Sequence, residues 1–178
     1  MKSPFSQIGI RISTMNEITI IPYRAELRED VLALAIDART LVFERMRHEV
    51  PAFVYAAFYP QGWQARQSVD VAAMLDGEPQ NISVAMRHGE LAGFVGLRLH
   101  PEDAMGEVQI VAVAPRHQRQ GVGRALLTLA EERMRAAGMT MVMVETEGDS
   151  GHEPARRAYE VFGYERRPVA RCFKRLGN

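Results

Sequence analysis

VAVAPRHQRQGVGRALL, Val111 to Leu127, puts two glycines one residue apart at the seam between an apolar strand-like run and a helical one. A helix that starts near Val122 leaves its first N–H groups without intrahelical acceptors, and its dipole places partial positive charge there. Gly121 and Gly123 remove side chains that would keep a ligand off those N–H groups, and Arg119 and Arg124 add full charges. The arrangement suits a phosphate or pyrophosphate. Two familiar phosphate motifs are absent. There is no GxxxxGK[ST], and GxGxxG fails because position 126 is Leu. Taken alone, the Gly-x-Gly turn reads equally well as a plain structural turn.

Outward from this seam, the chain alternates between strand and helix patterns. Glu17–Tyr23 is a short β-rich run, and Glu26 to about His48 is helical, with apolar residues at three- and four-residue spacing up to Pro51. A second helix is expected from Trp63 to Leu75. Asn81–Arg87 and Glu90–Leu99 read as two strands joined by a tight turn at His88-Gly89. Met105–Pro115 is a further strand. Val122–Ala137 is an amphipathic helix with a stripe of Leu126, Leu129, Ala130, Met134 and Ala137, capped by Gly138. MTMVMVET, from Met139, is apolar at nearly every position, as expected of a strand covered on both faces. Pro154–Phe162 is a short helix, and RPVARCFKRL is expected to close the chain as a last strand. The order β, α, α, β, β, β, α, β, α, β implies a mixed sheet with helices on both faces.

Composition bounds the function. The chain has 178 residues, 47% of them hydrophobic and 25% charged, which is ordinary for one globular domain. Lys plus Arg and Asp plus Glu both number 22, so no basic field points to nucleic acid or to a membrane surface. The single cysteine, Cys172, suits a reducing cytosol and is expected to be buried rather than nucleophilic. The five histidines show no metal-ligand spacing, so no metal is expected. No apolar run approaches the roughly 20 residues of a membrane helix. Residues 1–14 lack a signal-peptide pattern and are expected to be a flexible extension ahead of a single domain over residues 15–178, with a cytoplasmic location as the default.

Two motifs together carry a family resemblance. Gln118-Arg119-Gln120-Gly121-Val122-Gly123, preceded by VAVAP, is similar to the [Arg/Gln]-x-x-Gly-x-[Gly/Ala] acetyl-CoA signature of the GNAT N-acetyltransferase superfamily. HEPARRAYEVFGY resembles that family's second pattern at Ala155, Tyr159, Gly163 and Tyr164, with His152 where the family carries Asn. The resemblance runs from about Asn81 to Phe173. It implies a mostly antiparallel central sheet of about six to seven strands in an α/β (α+β) fold. It also implies acetyl-CoA as the acyl donor, an amine acceptor, and the homodimers common in the family; the sequence leaves the oligomeric state open.

Carried over, Gln118, Arg119, Gln120, Gly121, Val122, Gly123 and Arg124 would hold the phosphates. Val111, Ala112 and Val113 belong to the strand that would pair with the two amides of pantetheine as an added strand does. The resemblance also places His152 near the cofactor, although a loop-to-helix contact explains it equally. Tyr159 is the expected proton donor to the departing thiolate, with a core tyrosine as the alternative. An amine must be neutral to attack, which calls for a base. Glu107, at the start of the motif strand and at a separation from Gln118 that resembles the catalytic glutamate of histone-type family members, is the first candidate, with an exposed strand-end charge as the alternative; Glu145 and Glu147 are weaker ones. The backbone N–H of Val113, or a neighbour on its strand, would receive the oxyanion.

Transfer is expected to be direct, in a ternary complex. The rival reading is a non-catalytic acyl-CoA-binding module. Arg156, Arg157, Arg166 and Arg167 are read as a solvated basic face or as partners of the cofactor's 3′-phosphate. The segment Phe53–Trp63, with five aromatic residues, reads as an acceptor wall or as core or dimer packing. The acidic loop His100–Glu107 would attract a cationic acceptor.

Overall fold

The computed structural model describes residues 18–177. The expected extension over residues 1–14 lies outside the described residues. The elements run β1 (Ile18–Pro22), α1 (Arg28–Met46), α2 (Ala52–Phe58), α3 (Trp63–Gly77), β2 (Ile82–Arg87), β3 (Glu90–His100), β4 (Met105–Val113), α4 (Val122–Ala136), β5 (Met141–Val144) and α5 (Glu153–Val161). They form two compact units. The first comprises the described residues through Ala38 with Gln67–Glu145, and the second comprises Arg39–Arg66 with the residues from Thr146 onward.

The first unit is built on one sheet in the order β1-β2-β3-β4-β5. Each pair from β1 to β4 is antiparallel, and β4 pairs with β5 in parallel. His88 (φ 52°) and Gly89 (φ 80°) form the expected tight hairpin, because a turn with both central residues at positive φ matches the strand twist. On one face, Val31, Leu34 and Ala35 of α1 and Val71 and Leu75 of α3 pack on Val84, Phe94, Ile110 and Ala112. The other face carries α4. A Cβ built on Gly93 would meet Leu126 and Val122 at 3.1 Å, and one on Gly106 would meet the Met134 side chain at 2.4 Å. Gly93 is thus where β3 lets the start of α4 settle. The same Cβ would lie 2.7 Å from the Ala112 carbonyl oxygen, which cannot swing aside as a side chain does. Gly93→Ala is expected to destabilise the fold by about 1–3 kcal/mol, read as a lower melting temperature.

The β3–β4 ladder carries an irregularity. Gly96 pairs with Ile110 and Leu97 with Val108, so Gln109 is an extra residue in β4. Such a bulge reverses which face the following side chains take and bends the strand. Gly106 and Val108 therefore point to the α4 side, whereas Ile110 and Ala112 point to the α1/α3 side.

Several expectations need correction. The described sheet has five strands, not six to seven. Residues 164–177 form no strand and are largely exposed, and Cys172 is exposed rather than buried. In RPVARCFKRL the apolar residues Val169, Ala170, Cys172, Phe173 and Leu176 keep no period of two, three cations intervene, and Pro168 lacks an N–H to donate. MTMVMVET forms a strand only over Met141–Val144. It lies at the sheet edge with Met141 52% exposed, so it is not covered on both faces. No helix among the described residues is long and apolar enough to cross a membrane.

Candidate active site

The site in the first unit begins with an opened strand edge. β4 pairs with β3 along its length, but with β5 only over Met105–Val108. Beyond the Gln109 bulge, that side of β4 has no strand partner among the described residues. The Ala114 N–H donates to the Ala92 carbonyl (2.9 Å), which fixes the alternation of the ladder. Ala112 likewise turns its main-chain groups toward β3, while Val111 and Val113 turn theirs to the open edge. Of the three strand residues expected at the cofactor, Val111 presents both main-chain groups to the open edge, Val113 presents a free N–H while its carbonyl accepts from the Gln118 amide, and Ala112 presents neither.

After β4, a 3-10 turn over Pro115–His117 leads into the loop. Arg119 (φ 59°) and Gly121 (φ 88°) are both left-handed, and they fold the chain back so that α4 starts at Val122. The side chains of two of the expected cofactor-binding residues shape the loop. The Gln118 amide donates to the Val113 carbonyl (3.2 Å), and the Gln120 amide donates to the Arg116 carbonyl (2.8 Å). The first helical bond runs from the Ala125 N–H to the Gly121 carbonyl, at 2.9 Å. The N–H groups of Val122, Gly123 and Arg124 take no acceptor among the described residues, and α4 has no side-chain cap. Arg119 and Arg124 are exposed and have no ion-pair partner among the described residues. Unsatisfied amides, a helix dipole and two exposed cations together form an anion cradle.

Glu107 lies two residues before the bulge, on the face away from α4. Its Oε2 sits 2.8 Å from His100 Nε2, an arrangement that the sequence reading missed. The signal was available, since a hairpin with a period of two sets the end of β3 beside the start of β4.

Tyr159 and His152 belong to the second unit. Burial pushes the Tyr159 phenol above its usual pKa of 10.0, with the Arg39 charge partly offsetting it. Its ring tilts against Tyr164 at 5.7 Å. His152 stands just before α5, and its Nδ1 lies 2.6 Å from Asp149 Oδ2. Asp149 Oδ1 accepts from the His152 N–H at 3.2 Å, so the carboxylate also caps the short turn before the helix. His152 thus makes the loop-to-helix contact. The Arg156 guanidinium donates to the Glu147 and Asp149 carbonyls, and Arg157 and Arg166 pair with Glu153 and Glu160. These three arginines are engaged within their own unit.

The aromatic segment forms a small core. Phe43 stacks on Trp63 (4.3 Å, 8° between planes), Tyr59 meets Phe43 edge-on at 5.3 Å, and both Phe43 and Trp63 are buried. Two of its half-buried rings carry cations of this chain, Arg47 over Tyr55 and Arg175 over Phe53, and the exposed Phe58 meets Phe173 edge-on. Among the described residues no group of three or more His, Cys, Asp or Glu is placed to hold a metal ion.

An open strand edge beside a cradle of unpaired amides can hold a long ligand that has amides at one end and phosphates at the other. The chain belongs to the GNAT acetyltransferase family, whose model, the Acetyltransferase (GNAT) family, matches residues 46–164. Relatives include a mycothiol acetyltransferase of Thermomonospora curvata, 37% identical over 52% of this chain and 30% of that protein. A mycothiol acetyltransferase of Rhodococcus jostii is 31% identical over 69% of this chain and 42% of that protein. The chain therefore spans less than half the length of these curated relatives. In fold it is similar to the PaiA N-acetyltransferase of Thermoplasma acidophilum, solved in complex with coenzyme A (TM-score 0.62, 16% identity, 82% of this chain and 88% of that one).

Proposed function

We propose that the protein is an N-acetyltransferase that moves the acetyl group of acetyl-CoA to a primary amine by direct attack, without an acyl-enzyme. The observation that carries this reading is the parting of β4 from β5 after Val108, next to the free amides of Val122–Arg124. Val111, with Val113 once the Gln118 amide gives up its carbonyl, would take the pantetheine amides as a strand takes a peptide. The loop would take the pyrophosphate, with Arg119 and Arg124 adding charge. The Val113 N–H, on the open edge, would receive the oxyanion. Glu107 would remove the proton of the acceptor ammonium, and Tyr159, which the second motif singles out, would protonate the leaving thiolate.

The name of the relatives, mycothiol acetyltransferase, favours a small-molecule acceptor over a protein for this chain. The test is a panel of primary amines (amino acids, polyamines, aminoglycosides, amino sugars and peptides) assayed for release of the coenzyme A thiol, repeated with longer acyl donors. Release that depends on one amine class, with acetyl-CoA preferred, is the expected result. Tight coenzyme A binding with no turnover on any amine would establish the binding-module alternative instead.

A further inference from the structure

Glu107 has two possible partners across the hairpin, and the structure gives it the one that can move a proton. In the β3–β4 register the residue opposite Glu107 is Arg98, while His100 lies one step along the same face. Arg98 is occupied elsewhere. The side-chain oxygen of Gln109, with its amide turned toward the guanidinium, accepts from Arg98 at 2.7, 3.1 and 3.1 Å. Gln109 is the extra residue of the bulge, so the irregularity that opens the strand edge also supplies the group that holds Arg98. Glu107 Oε2 is left to His100 Nε2 at 2.8 Å. On its other side, His100 Nδ1 lies 3.7 Å from Glu102 Oε1.

The choice of partner has a chemical consequence. A guanidinium never gives up its proton, so a carboxylate clamped by Arg is held in its charged form and is a poor base. An imidazole has a donor on one nitrogen and an acceptor on the other, so it can take a proton at Nε2 and release one at Nδ1. Exposure rises along the same line. The side chains of Glu107, His100 and Glu102 are 21%, 26% and 70% exposed, so the line leads from a sheltered carboxylate to water. The other charged groups nearby are Arg98 on β3 and Asp103 in the turn, while β5 sets the uncharged Met143 opposite Glu107 and reaches the charged Glu145 just past its end.

We propose that His100 is a positioning residue that relays the acceptor's proton from Glu107 to solvent past Glu102. This rests on the reading of Glu107 as the base. The ammonium of the acceptor gives one proton to the Glu107 carboxylate and becomes the attacking amine. The resulting carboxylic acid passes that proton to His100 Nε2 and is a carboxylate again. The imidazolium then loses its Nδ1 proton to the Glu102 side and water. One proton leaves per acetyl group transferred; the ring, left with its hydrogen on Nε2, exchanges it with water to restore the starting Nδ1–H tautomer, and all three side chains recover their charge.

The test uses the full chain with acetyl-CoA and two probe amines, n-butylamine, which is an ammonium at neutral pH, and hydroxylamine, which is largely uncharged there. His100→Ala is expected to slow n-butylamine acetylation by about tenfold or more, below the 10²–10⁴ range of a base itself, and hydroxylamine acetylation by less than about threefold. Added imidazole should restore the n-butylamine rate. Hydroxylamine turnover also reports that the variant is folded. Gln109→Ala frees Arg98 to clamp Glu107 and should slow n-butylamine selectively, whereas the double variant R98A/Q109A should recover. Equal losses with both amines, or no rescue by imidazole, overturn the relay. If Glu107→Gln leaves n-butylamine turnover intact, Glu107 is not the base and the relay falls, while the acetyltransferase reading stands. If the unsubstituted protein releases no coenzyme A with any amine, both fall.

Discussion

Replacing Tyr159 with Phe is expected to lower kcat by about 10²–10⁴-fold while leaving the dissociation constant of acetyl-CoA within about threefold. The change removes one oxygen and keeps the ring against Tyr164, so packing in the second unit is largely retained. What is lost is the proton for the leaving thiolate. Burial raises the phenol's pKa above 10.0, so the group holds its proton at neutral and moderately alkaline pH, as a general acid must. The sign for stability follows the same shift. A folded-state pKa above the unfolded value stabilises the fold below about pH 10, and that contribution is lost as pH rises through the folded value. Tyr159→Phe should therefore be as stable as the unsubstituted protein at pH 7 and lose less stability above pH 10. Steady-state kinetics with saturating acetyl-CoA, together with thermal melting across pH, measure both effects. A kcat within about threefold of the unsubstituted value would return Tyr159 to the role of a packing residue.

The sequence spoke most clearly where local chemistry decides structure. The loop Gln118–Arg124 was readable because glycine marks a turn and a helix start calls for anion-friendly neighbours; Gly121 turns the chain at φ 88°. The hairpin at His88-Gly89 and the cap at Gly138 (φ 84°) were legible for the same reason. The last strand was misread because apolar content was taken for periodicity. Val169, Phe173 and Leu176 are apolar, but no face of that segment is, and all three are left exposed. The free edge of β4 was inferred from the resemblance, but its cause was invisible. Nothing in EVQIV marks Gln109 as the residue that drops out of register, since a bulge is fixed by how two strands meet. The partner of Glu107 was hidden in the same way. Its place at the start of the motif strand marked it as a candidate base, whereas the contact with His100 follows from which side chains the hairpin register sets on one face.

The two loop glycines look interchangeable in the sequence, but their backbones predict opposite outcomes. Gly121 has φ 88°, so Gly121→Ala forces a side chain into the left-handed region and should destabilise the fold by about 1–2 kcal/mol. Gly123 is the second residue of α4, and its φ is not positive. A Cβ there meets only Val113 Cγ2, at an ordinary 3.6 Å. Gly123→Ala should therefore stabilise the protein by about 0.5–1 kcal/mol through helix propensity. Gly123→Asp separates folding from binding. A carboxylate in the first turn interacts favourably with the helix dipole, worth about 0.3–1 kcal/mol, so the melting temperature should hold. The same carboxylate occupies the amides of Val122–Arg124 and repels the pyrophosphate. Two unit charges about 4 Å apart interact by about 1 kcal/mol in water and about 4 kcal/mol at an effective dielectric near 20, so a loss of about 100-fold in coenzyme A affinity is expected. Calorimetric titration with coenzyme A alongside thermal melting reads both quantities. A folded Gly123→Asp protein that binds coenzyme A like the unsubstituted one would show that the phosphates are held somewhere other than the start of α4.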